Sequence, residues 1–244
     1  MKKRYDRNIG TISEEEQELL AAKAVCVVGC GGLGGNVIEG LVRMGVGRLT
    51  VVDCDCFEET NLNRQVLSNE QNLGKSKAVE AVEQMAVINS DVRVDAIEAR
   101  LDRSSAWEIV AGHDVVVDAL DNIEARLILE RACEVEEIPL VHGAIGGWNG
   151  QVTVVMPGAK VLEAIYGPVG NSGSDGSSRD DGSNSCAETE CEADKPTNPP
   201  FTPAVVAAME AAETIKLLLG REEVLAGKIL TLYLLNNEYE VIDF

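Results

Sequence analysis

The chain has 244 residues, 45% of them apolar, enough for one large α/β domain or two small ones around a proper core. Its 41 Asp and Glu against 21 Lys and Arg give a net charge of −20, which argues against tRNA or an anionic membrane surface as the main partner. Seven cysteines without a Cys-x-x-Cys pair, no signal-peptide pattern at Met1-Lys2-Lys3-Arg4 and no apolar run of membrane-spanning length lead to the expectation of a cytoplasmic protein.

Residues 1–12 read as an arm, and Ser13-Glu-Glu-Glu16 as the capping box of a short helix ending near Ala22. The apolar run from Val25 enters Gly29-Cys-Gly31-Gly32-Leu33-Gly34 and continues as a helix. This is a nucleotide-binding turn, in which glycines let backbone approach phosphate and the helix N-terminus supplies amide donors. Asp53, 19 residues past Gly34 at the end of the next apolar run, is placed to accept ribose hydroxyls. Strands at 24–29, 48–53, 92–97, 114–119 and 139–144 alternate with helices at 34–44, 75–88, 104–111 and 122–135. The pattern predicts an α/β fold with a doubly wound, Rossmann-like, mostly parallel sheet that takes ligands at the carboxyl ends of its strands. Gly150–Met156 and Lys160–Ile165 read as short strands joined by Pro157-Gly158, an antiparallel extension. Residues 167–200, rich in Gly, Ser, Asp, Glu and Pro, read as a mobile loop within a single domain, closed by a helix at 203–219 and strands at 228–235 and 238–243.

Chemistry gathers after the second strand, in Glu59-Thr60-Asn61-Leu62-Asn63-Arg64-Gln65 and Gly74-Lys75-Ser76-Lys77. An Asn, an Arg and a Lys at a sheet end that already holds a nucleotide read as a clamp on a triphosphate, which a nicotinamide dehydrogenase would not need. Val115-Val-Val-Asp118-Ala-Leu-Asp121-Asn122 puts Asp121 on the same rim, in position to hold a divalent cation against phosphates. Asp118 competes for that part, with a capping or hydrogen-bonding role equally open to it. Metal binding by Cys54 and Cys56 is the lesser reading of that pair, and His113 and His142 read as structural.

Taken in order, Arg4-Tyr-Asp-Arg7, the glycine loop, Asp53-Cys-Asp55, Thr60-Asn61-Leu-Asn-Arg64-Gln65, Gly74-Lys-Ser-Lys77 and Asp118-Ala-Leu-Asp121-Asn122 resemble the ubiquitin-activating-enzyme-like superfamily. Within it they resemble the bacterial adenylating enzymes of the ThiF/MoeB/HesA type, and Phe201–Lys216 resembles the helix that closes their sheet. The likeness covers about residues 4–160 and 201–244. It implies an ATP- and Mg2+-dependent adenylyltransferase that activates the C-terminal carboxylate of a small ubiquitin-like sulfur carrier ending in Gly-Gly and releases pyrophosphate, in thiamine, molybdopterin or tungstopterin, or related sulfur transfer. By that resemblance Gly31, Gly32 and Gly34 lie against the nucleotide, Asp53 binds its ribose, and Asp55 and Asn122 also contact it. Asn61, Arg64, Gln65 and Lys77 handle phosphates, Asp121 binds magnesium, and Arg7 reaches into the other subunit of a homodimer. A carboxylate nucleophile needs no general base, in keeping with the want of an obvious catalytic His. Cys191, ahead of Cys186, stands where some relatives place a reactive thiol, although the many carboxylates around it disfavour a thiolate.

Relatives often hold a structural zinc with two Cys-x-x-Cys pairs. This sequence has Ile165-Tyr-Gly-Pro at the first place and ends at Phe244 before the second, so no zinc is expected. No rhodanese-type domain is expected, and the sulfur donor is expected to be a separate protein. The competing readings are adenylation of another carboxylate, a tRNA-modifying dehydratase relative, and a catalytically silent nucleotide-binding partner.

Overall fold

The computed structural model describes residues 2–167 and 197–244. Most of the loop expected at 167–200, with Cys186 and Cys191, lies outside them. Among the described residues eight strands form one sheet in the order β3-β2-β1-β4-β5-β6-β7-β8. β1 (Ala24–Val28), β2 (Arg48–Val52), β3 (Arg93–Ile97), β4 (Val115–Asp118) and β5 (Leu140–Gly146) run parallel, while β6 (Asn149–Val155), β7 (Lys228–Tyr233) and β8 (Glu238–Asp243) add on antiparallel. The order reverses between β1 and β4, which opens a crevice beyond their carboxyl ends.

The inner strands read as unbroken apolar runs because both of their faces are covered. Val25, Val27, Val51, Val117 and Val141 enter one core with α2 (Gly32–Met44), α3 (Lys77–Ile88) and α7 (Phe201–Leu218). Cys26, Val28, Val52, Val116 and Leu140 enter the other, with α4 (Ala106–Val110), α5 (Ile123–Val135) and α6 (Val161–Tyr166). The capping box is present on α1 (Glu14–Ala21), where Ser13 Oγ accepts from Glu16 N and Glu16 Oε2 from Ser13 N. No helix among the described residues is long and apolar enough to cross a membrane.

Two expectations are corrected. Residues 160–165 are not a strand, and Pro157-Gly158 does not join two strands. The hairpin is β5–β6, turning at Gly147-Trp148, and the chain after Gly158 forms helix α6. The cause lies outside the segment, since Glu130 of α5 accepts the backbone N–H groups of Leu162 and Glu163 at 2.6 and 3.0 Å. A carboxylate thus supplies the N-terminal partner that Lys160, at φ 48°, does not.

The arm is bound at the amino ends of the strands. Asn89, at the end of α3, donates to the Tyr5 hydroxyl at 2.8 Å and to Val42 O at 2.9 Å, and Gln17 donates to Met44 O. Arg7 is exposed on this side, across the sheet's length from the crevice.

One buried group has no use in the fold that its charge could serve. Glu210 of α7 is fully buried over Gly143 of β5, where a Cβ would lie 2.4 Å from the carboxyl carbon, and neither carboxyl oxygen has a hydrogen-bond partner. Burial drives its pKa well above the usual carboxylate range, and the nearby Asp118 adds to this. The proton costs nothing below the usual range, where folded and unfolded chains both hold it. As pH rises the unfolded chain releases it first, and stability falls by about 1.4 kcal/mol per pH unit until the folded group ionises too. Glu210→Gln should therefore come closest to the wild type below about pH 4 and exceed it in urea unfolding at pH 8; parallel pH profiles for the two proteins would show that Glu210 is not held neutral.

Candidate active site

The crevice between β1 and β4 is floored by the glycine loop. Gly29 has φ 103°, open to a residue without Cβ, and a Cβ there would meet Ala119 O at 2.5 Å. Gly34, in the first turn of α2, lies against the loop itself, where a Cβ would sit 1.7 Å from Gly29 O. The helix begins at Gly32, so the amides of its first turn have no partner within the helix, and the side chains beside the glycines are Gln65 at Gly31 and Arg64 and Pro203 at Gly32. Asp53 at the end of β2 braces this turn: its Oδ2 accepts from Cys30 N at 2.7 Å and its Oδ1 from Asp55 N at 2.9 Å.

The clamp residues come from two segments. Lys77 opens α3, is buried, and points its Nζ to Asp55 Oδ2 at 3.3 Å. Burial raises the Asp55 carboxyl, but the Lys77 charge and hydrogen bond outweigh it and leave the group below the usual carboxylate range. Arg64 lies over Gly32, with its Cγ 3.7 Å from where a Cβ would stand, and donates to Thr60 O and Asn63 Oδ1. Gln65 is buried beside Gly31, and its Oε1 has no partner among the described residues. An orphaned acceptor at the mouth of an open amide-lined turn fits a polar ligand seated there.

The other expected residues divide. Asn61 is buried, but its Oδ1 accepts from Glu58 N within its own turn, and Asn122 Oδ1 caps α5 by accepting from Ala125 N. Asp121 is exposed on the rim, while Asp118 is fully buried and hydrogen-bonded to Leu120 N and His142. Of the two, Asp121 is the one free to meet a cation. Asp53, Cys54 and Asp55 bring ligand atoms within 4.8 Å of one another, but the Lys77 ammonium already supplies the positive charge there. His113 is held by Val110 O and Thr50 Oγ1, and burial lowers its pKa. Arg7 is not brought to this site.

Sequence reasoning missed the wall of the site. An open cleft of about 700 Å³ adjoins the clamp, lined by Thr60, Asn63, Arg64, Trp148 and Phe201 among others. Trp148 at the β5–β6 turn and Phe201 at the start of α7 stack at a centroid distance of 4.5 Å, tilted by 37°. Gly147 N donates to Thr197 O, Thr202 Oγ1 donates to Gly147 O, and Asn63 Nδ2 donates to Asn198 O, so three segments hold the wall together. An exposed Trp at a glycine-rich turn was the available signal.

The model of the ThiF family matches residues 5–244. The chain belongs to this family. Among curated relatives, this ThiF-family chain is 37% identical over 243 residues to the SAMP-activating enzyme E1 of Haloferax volcanii, covering 99% of itself and 84% of that protein. It is 38% identical over 229 residues to the sulfur carrier protein adenylyltransferase of Thermus thermophilus, covering 93% and 81%. A crystal structure of E. coli MccB with ATP superposes with a TM-score of 0.79 at 21% identity, over 100% of this chain and 72% of that one, which shows the shared fold.

Proposed function

We propose that this chain is an ATP-dependent adenylyltransferase that activates the C-terminal carboxylate of a small ubiquitin-like sulfur carrier. The observation that carries the reading is the joining, on one rim, of a bare amide turn, the Asp53 and Asp55 carboxylates, and the Lys77 and Arg64 cations beside a cleft open to a chain end. The family membership and the names of the two relatives support it.

The carrier carboxylate attacks the α-phosphorus of ATP. The bond to the bridging oxygen breaks, pyrophosphate leaves with that electron pair, and an acyl-adenylate remains. An ionised carboxylate attacks without surrendering a proton, so the work left to the protein is positioning and charge stabilisation. Lys77 and Arg64 supply positive charge for the departing phosphates, the glycine-loop amides hold the nucleotide, and the remaining lone pairs of Asp53 take its ribose. Asp121 would hold magnesium, which neutralises phosphate charge when bound. The five described cysteines are free thiols, in keeping with a cytoplasmic setting.

The arm extends the proposal to a homodimer. Arg7 stands at the end of the sheet opposite to its own crevice, so any contact it makes with a nucleotide is in another subunit. Carrier-dependent exchange of labelled pyrophosphate into ATP tests both points. Arg7→Ala and Asp121→Ala should each be inactive, and mixing them should restore about a quarter of wild-type exchange, because half the dimers are hybrids with one intact site. No exchange by the wild type with any Gly-Gly carrier would end the adenylation reading. Silence of the mixture after proven subunit exchange would end only the dimeric one.

A further inference from the structure

Behind the rim lies a buried polar cluster to which the adenylation steps give no part. Asp118 Oδ2 meets His142 Nδ1 at 2.7 Å, both residues being fully buried, and His142 Nε2 meets the Tyr166 hydroxyl at 3.1 Å. That hydroxyl accepts from Arg126 Nη1 at 2.8 Å and from Gln151 Nε2 at 2.7 Å. With both lone pairs occupied, the Tyr166 hydroxyl has only its own proton to offer His142. Nε2 is therefore the bare nitrogen, and Nδ1–H donates to Asp118.

The cluster ends on one peptide. Asp118 Oδ1 accepts from Leu120 N at 3.0 Å, and Arg126 donates twice to Leu120 O, from Nε at 3.2 Å and Nη2 at 2.5 Å. On its other side the same turn abuts the glycine loop through Ala119. Leu120 is thus gripped at both its N–H and its C=O, and the next residue is Asp121. Nothing about a stable core requires this. An isolated pair of apolar residues would fill the space without desolvating a guanidinium, a carboxylate and an imidazole.

We propose that Arg126, His142 and Tyr166 are positioning residues that fix Asp121 through the Leu120 peptide. The inference rests on the adenylation reading, in which Asp121 holds the cation. Through Tyr166, the last residue of α6, the cluster also ties the rim to α6 and to the β5–β6 hairpin, which carries His142 and Gln151.

The chain has only two histidines, so protein labelled with 15N-histidine gives a readable ring spectrum, with His113→Gln to assign it. The wild type should show His142 with Nδ1–H and a bare Nε2, and Tyr166→Phe should displace the Nε2 signal. In pyrophosphate exchange Tyr166→Phe should lower kcat about ten-fold, leave the KM for ATP within about two-fold, and raise the Mn2+ concentration needed for half-maximal rate. Arg126→Lys, which keeps the charge but not the double grip on Leu120, should do the same and serves if Tyr166→Phe fails to fold. Asp121→Asn should abolish exchange and leave the His142 signals where they are. Wild-type kcat and metal dependence in folded Tyr166→Phe and Arg126→Lys would overturn the positioning role, as would a proton found on Nε2. Full exchange by Asp121→Asn would instead overturn the role of Asp121, with the tautomer unaffected.

Discussion

Gly34→Ala is expected to destabilise the protein by more than about 4 kcal/mol, because its methyl carbon would lie 1.7 Å from the carbonyl oxygen of Gly29. Backbone, unlike the end of a long side chain, cannot step aside. Here the obstructing atom belongs to the loop that Asp53 and Ala119 hold on either side. The ordinary gain in helix propensity from Gly to Ala, roughly 1 kcal/mol, is too small to offset it. Urea unfolding followed by circular dichroism would show the loss, and any folded remainder should bind no ATP by calorimetry. Gly32→Ala is the control, since its Cβ would meet Pro203 Cβ at 3.5 Å, an ordinary contact. A Gly34→Ala protein as stable as Gly32→Ala would mean that the turn between β1 and α2 differs from the one described.

Lys77→Ala is expected to lower exchange by roughly 100- to 1,000-fold in kcat while leaving the protein folded. The two parts of this expectation come from the two ends of one ion pair. The Lys77 side chain is only 9% exposed, its ammonium turned to Asp55 at the rim, whereas that of its partner Asp55 is 59% exposed. Freed of Lys77, Asp55 turns to water at little cost, and such half-exposed pairs contribute little to folding. Lys77→Arg should not rescue the rate, because the fork of a guanidinium is longer and flatter than the ammonium it replaces. Exchange near the wild-type level in Lys77→Ala would remove Lys77 from the reaction.

The sequence carried the βα alternation because each parallel strand is a short apolar run closed by a turn, and burial on both faces is what such a run records. It carried the gathering of the glycine loop, Asp53, Lys77 and Arg64 at one rim, because their places at strand ends follow from residue type and spacing. It did not carry α6. Six residues, Val161 to Tyr166, are too few to display a helical period, and the carboxylate that fixes their start belongs to Glu130. The cluster around Tyr166 was hidden for the same reason. Arg126, His142 and Gln151 each read as a lone polar residue in an apolar element, and only the pairing of β4, β5 and β6 brings them together. Asn61 and Asn122 show the converse: motif position points them to the nucleotide, while local geometry has given each an amide of its own turn to hold.

The brace formed by Asp53 bears on how variants and descendants of this chain are interpreted. Each of its oxygens accepts a backbone N–H before any ribose arrives. An asparagine would turn one acceptor into a donor facing a donor, which trades an attraction for a mismatch in a half-buried turn. If Asp53 takes the ribose as proposed, selection for a foldable chain and selection for nucleotide affinity fall on the same carboxylate. A relative that had abandoned catalysis would still be under pressure to keep an aspartate here, so its retention by itself is no sign of a working enzyme; Lys77, which the fold can spare, is the better witness.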